Sequence, residues 1–66
     1  MNLYAVNTST EDEEALTYVV ASDATAAIRE AGGIGSMLLG SVANGDLMRG
    51  GEVICPIANF KPLFAS

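Results

Sequence analysis

The sequence predicts a small α+β domain: an antiparallel sheet, built from a β-hairpin and a third strand, with one or two short helices on one face. Three observations predict it. Two runs rich in strand-favouring residues, at 3–6 and 15–21, flank a polar stretch. An alanine-rich segment with helical spacing follows the second run, and a short apolar run at 52–57 comes after Gly50-Gly51.

In the first run, Leu3-Tyr4-Ala5-Val6, and the second, Ala15-Leu16-Thr17-Tyr18-Val19-Val20-Ala21, the residue types suit a pleated, half-buried surface. The two-residue strand period puts Leu16, Tyr18 and Val20 on one face and Ala15, Thr17, Val19 and Ala21 on the other. Residues 8–14 between the runs lack an apolar side chain and suit an open hairpin loop. Tyr4 and Tyr18 are then expected on paired strands, in cross-strand contact.

Ser22-Asp23 supplies a helix N-cap, after which Ala24, Ala27, Ile28 and Ala31 recur at i, i+3, i+4 and i+7. Gly32-Gly33 ends the helix, because glycine accepts the left-handed conformation common just past a helix C-terminus. Two assignments fit residues 36–43. Met37, Leu38 and Val42 suit a second helix stopped by Asn44-Gly45, whereas Asn-Gly is also a hairpin-turn dipeptide that would make Leu38, Leu39, Val42 and Leu47 strand residues. Gly40 weakens both. In the run 52–57, Pro56 cannot donate a ladder hydrogen bond, so this strand lies at an edge or ends there. Phe60, Leu63 and Phe64 in the tail are expected to pack on the domain or on a neighbouring chain.

The 66 residues predict one domain, and a chain of this size buries only about 60% of the surface it exposes when unfolded. Half of its residues are nevertheless hydrophobic, and mean hydropathy is +0.35. Part of that apolar surface is expected to meet a partner. Small scaffolds are reinforced by disulfides, metals or oligomerisation; with one cysteine, Cys55, and no histidine, oligomerisation remains, and a homo-oligomer is expected. The lone cysteine and the absence of a signal-peptide pattern point to the cytoplasm. No apolar run approaches the ~20 residues of a membrane span, since Ile34–Ala43 is broken by Gly35, Ser36, Gly40 and Ser41. The net charge of −5, with only Arg29, Arg49 and Lys61 as cations, disfavours direct nucleic-acid binding.

Glu11-Asp12-Glu13-Glu14 sets four carboxylates in the predicted hairpin loop. Acid–base catalysis needs two carboxyls in different environments, which four adjacent solvated ones do not provide. The plain reading is a solubilising loop; the functional one is a docking surface for a basic patch on another protein. Gly32-Gly33-Ile34-Gly35-Ser36 is a glycine-rich turn whose N–H groups suit an anion, with Arg49 the cation placed to join it. Its plain reading is a helix terminator. Cys55 lies among apolar neighbours with no histidine in the chain to serve as base, so it reads as structural, and no catalytic, metal-ligating or cofactor-binding set is predicted.

The opening Leu3-Tyr4-Ala5-Val6, the Tyr18-Val19-Val20-Ala21-Ser22-Asp23 junction and the closing Glu52-Val53-Ile54 resemble a pattern found in short phage and prophage reading frames. The resemblance implies a phage-type accessory protein, a group that includes small inhibitors of bacterial defence, and carries over no functional residue. The expected function is thus a non-enzymatic binding protein that inhibits or modulates a bacterial host or defence protein. The alternative is an oligomer that sequesters a small anionic ligand, such as a nucleotide signal, through Gly33, Gly35, Ser36 and Arg49.

Overall fold

In the computed structural model, which describes residues 1–64, the chain folds into a six-stranded mixed sheet with one α-helix. Strands β1 (Asn2–Asn7) and β2 (Leu16–Ala21) form the expected antiparallel hairpin, in register from Asn2 opposite Ala21 to Asn7 opposite Leu16. Helix α1 (Ala24–Ala31) follows. The Asp23 carboxylate accepts a hydrogen bond from the Ala26 N–H at 2.8 Å, and Gly32 closes the helix at φ 67°. Both ends therefore lie where the cap residues set them.

Residues 36–43 are strand, and the helical assignment fails. They belong to β3 (Gly35–Ala43), which turns through Asn44 and Gly45, at φ 53° and 78°, into β4 (Asp46–Arg49). Two consecutive left-handed residues match the right-handed twist of the flanking strands, which is why Asn-Gly selects a hairpin here. As a helix this segment would also have left one side of β1 unpaired, whereas β3 pairs with β1 along its whole length. Gly40 is required by a close approach: a Cβ there would meet the Met48 carbonyl oxygen and lie 2.9 Å from Leu47 Cδ1.

The expected third strand is β5 (Glu52–Pro56), an edge strand ending at Pro56. A 3₁₀ turn, Ile57–Phe60, then returns the chain to β6 (Leu63–Phe64), which pairs parallel to β2. Spatial order is β5-β4-β3-β1-β2-β6. The sheet thus has three more strands than the hairpin-plus-one expectation, within the same α+β class. Of the tail, Ala65 and Ser66 lie outside the described residues.

β1 is buried on both faces. Tyr4 and Val6 join Val19, Ala21 and Ala27 beneath α1, while Leu3 joins Val20 and Leu47 on the opposite side, where Phe60, Ile57 and Cys55 pack. The helix expected on one face is α1, and a second layer, under the 3₁₀ turn, covers the other face. It also separates the tyrosines. Tyr4 lies opposite Val19 and Tyr18 opposite Ala5, so the two rings occupy different faces, and Tyr18 meets Phe60 edge-to-face at 5.0 Å. Cys55 is half-buried in this second layer and free.

Leu3 is fully buried, so Leu3→Ala should cost about 2–5 kcal/mol in chemical denaturation. Asp23→Ala, which removes only a cap, should cost about 1 kcal/mol. The reverse ranking would remove β1 from the centre of the fold.

Candidate functional site

The β1–β2 loop is ordered by small polar residues. Ser9 does most of this: its N–H donates to Asn7 Oδ1 at 2.9 Å, and its hydroxyl accepts the Ala15 N–H at 3.1 Å. Thr8 N–H donates to the Ala15 carbonyl at 3.0 Å, and Thr10 N–H to the Glu13 carbonyl at 2.7 Å. The loop is pinned at its base and turned at its tip. Glu11, Asp12, Glu13 and Glu14 therefore project from a defined scaffold, and all four are exposed.

Beside this loop the sheet end is open and partly apolar. One shallow groove of about 470 Å³ is lined by Asn7, Ser9, Glu14, Ala15 and Leu16. A second, of about 300 Å³, is lined by Ala5, Asn7, Leu16, Gly35, Ser36 and Met37. They share Asn7 and Leu16 and so adjoin. Leu16 and Met37 are each 61% exposed, although they share a sheet face with buried Leu3 and Val20. The 3₁₀ turn covers that face only as far as Tyr18, which leaves Leu16 bare. The acidic run thus meets this partly apolar surface at Glu14.

The residues of the expected anion site are arranged differently. Gly32 N–H donates to the Arg29 carbonyl at 3.4 Å, Gly33 N–H to Ile28 at 3.0 Å, and Ile34 N–H to Asn7 at 2.9 Å. These N–H groups already have acceptors, so the turn offers no converging set to an anion. Gly35 and Ser36 open β3, not a helix, and so lack a helix N-terminus behind them. Arg49 folds onto its own sheet, donating from Nε at 3.1 Å and Nη2 at 2.8 Å to the Leu39 carbonyl. Gly35 and Ser36 line the second groove, Gly33 lies against Val6 and Asn7, and Arg49 is engaged elsewhere.

The sequence does not mark Leu16 or Met37 as a site residue. The available signal was Leu16 directly following the acidic run, but its exposure depends on where the distant 3₁₀ turn stops. Among the described residues, no group of three or more Cys, Asp or Glu side chains is placed to hold a metal ion, and no helix is long and apolar enough to cross a membrane.

Two glycine substitutions separate packing from ligand effects. A Cβ at Gly33 would meet Val6 Cγ1 and lie 2.8 Å from the Asn7 carbonyl oxygen, whereas one at Gly35 meets nothing within 4 Å. Gly33→Ala should lower stability by about 1–3 kcal/mol and Gly35→Ala by under about 0.5 kcal/mol, as read from denaturation midpoints. Equal losses would mean that the β1–β3 contact is looser than the structure shows. No protein-family model, curated protein or solved structure matches the chain.

Proposed function

We propose that the protein is a non-enzymatic binding module that docks on another protein through the sheet end carrying the acidic loop. One observation carries the reading: a pinned loop of four exposed carboxylates runs into an open groove at Glu14, and that groove adjoins a second one through Leu16, beside exposed Met37. Apolar anchors supply affinity when they leave water, and a charged rim steers approach and selects a partner of opposite sign. The fitting partner surface is basic with an apolar projection. Following the resemblance to phage-type accessory proteins, that partner is a bacterial host or defence protein, inhibited or modulated by occupation of its basic patch. The small-anion alternative has less support, since its turn N–H groups and Arg49 already have partners within the fold.

The test is capture from bacterial lysate by three immobilised forms: the wild-type protein, a variant with Glu11, Glu13 and Glu14 changed to Gln and Asp12 to Asn, and Leu16→Ser. Both variants should keep the wild-type melting temperature within a few degrees, because exposed charges add little to folding. A protein captured by the wild type at low salt should be held about tenfold or more weakly by the neutralised form, and its binding should fall as salt rises. Leu16→Ser should weaken it at all salt concentrations. Capture indifferent to both changes would remove this sheet end as the docking surface, and a small molecule retained in native mass spectra would favour the alternative.

A further inference from the structure

Besides its two outermost strands and the Leu16–Tyr18 flank of β2, which β6 does not reach, the sheet has a further open edge on β3. β4 pairs with β3 only at Ser41, Val42 and Ala43, so among the described residues no strand lies beside Ser36, Met37 and Leu38 on the side away from β1. The direction of their peptide groups follows from alternation. Thr8 N–H bonds to the Ala15 carbonyl, extending the β1–β2 ladder, which turns the peptide groups of Asn2, Tyr4 and Val6 toward β2 and those of Leu3 and Ala5 toward β3. Ala5 faces Met37, so Met37 bonds inward, while Ser36 and Leu38 direct their N–H and C=O groups outward. Beyond them, the Arg49 guanidinium occupies the Leu39 carbonyl. The open edge ends there.

The two outermost strands carry devices that discourage pairing. β5 is broken by a bulge, opens with Glu52 and closes with Pro56, and β6 has two residues. The β3 stretch Ser36–Leu38 has no charge and no proline, and the shift in the β1–β3 register falls just beyond it, at Leu39. It is flanked by exposed Ile34, its own Met37 and Leu38 are exposed, and no ionisable residue occurs between Ala31 and Asn44.

We propose that this stretch pairs antiparallel with the same stretch of a second copy, about a two-fold axis through Met37, to make one continuous sheet. Ser36 of each copy then faces Leu38 of the other, and the outward groups of both exchange hydrogen bonds. The geometry is self-complementary because Ser36 and Leu38 are in the same phase of the ladder. Charge selects the same occupant. Each copy carries −5, yet the joining segments are uncharged. Antiparallel pairing also sends the acidic loop at the Gly35 end of one copy to the opposite end of the joint from its counterpart, so like charges stay apart. A partner recruited by charge would be drawn to the loop instead. The joint is short, which makes the dimer weak, with a dissociation constant on the order of tens of micromolar. This inference rests on the ladder geometry and not on the docking partner above, although Ser36 and Met37 also line the second groove.

Sedimentation of the purified full chain, from roughly ten to several hundred micromolar, should show a monomer passing to a dimer. Amide exchange read by NMR over the same range should show the Ser36 and Leu38 N–H groups gaining protection of about tenfold or more at the upper end, while that of Met37 is protected throughout. Leu38→Lys should stay monomeric, and Val53→Lys, an equally exposed change on β5, should dimerise like the wild type. A wild-type monomer at several hundred micromolar overturns the proposal. So does a dimer whose Ser36 and Leu38 amides stay unprotected, or one that Leu38→Lys leaves intact; the wild-type amides decide the matter even if that variant fails to fold.

Discussion

Every layer of the molecule rests on one strand that is hydrogen-bonded on both sides and buried on both faces. β1 pairs with β2 on one flank and β3 on the other, and four consecutive residues, Leu3 to Val6, are buried. A run of this kind is ordinarily found inside large α/β proteins, where helices cover both sides of a sheet. In so short a chain the two covers are minimal: an eight-residue helix with an alanine-rich inner face, and a single 3₁₀ turn carrying Phe60. The alanines let α1 lie close to the sheet, so the bulk of that interface comes from Tyr4, Val6 and Val19.

Such thin covers have a cost at the sheet's margins. The 3₁₀ turn reaches Tyr18 but not Leu16, so on that face the end where β1, β2 and β3 meet the acidic loop is left open. Apolar side chains left there cannot be accommodated within the fold. The loop keeps this end hydrated while Ser9 and Thr8 hold its base in place. The same shortage of material leaves β4 too short to line the whole of β3. Groove and open edge are therefore two results of one constraint, a central strand whose neighbours are longer than the elements available to cover them.

The features legible in the sequence were those decided by neighbours along the chain. Asp23, the alanine spacing and Gly32 mark the helix because capping and periodicity act over a few residues, and the four successive carboxylates mark an exposed loop for the same reason. Other features were set by contacts between distant segments. Gly40 looked like a weak point in either assignment, and its purpose appears only when the Met48 carbonyl arrives across the hairpin. The glycine turn suits an anion by composition alone, and the bond from Ile34 N–H to the Asn7 carbonyl joins segments far apart in the chain. Tyr4 and Tyr18 fall on opposite faces because the hairpin register sets them one step out of phase.

That phase difference gives the protein an internal pair of optical reporters. The chain has two tyrosines and no tryptophan, so its intrinsic emission and near-ultraviolet dichroism come chiefly from these two rings. Tyr4 lies in the layer under α1, with its hydroxyl 3.3 Å from Asn2 Nδ2, and Tyr18 lies in the layer under the 3₁₀ turn, against Phe60. Each layer thus carries one chromophore, in a different environment from the other. Loosening of one cover alters one signal and spares the other, so the two faces of a single sheet can be followed separately in solution without a label.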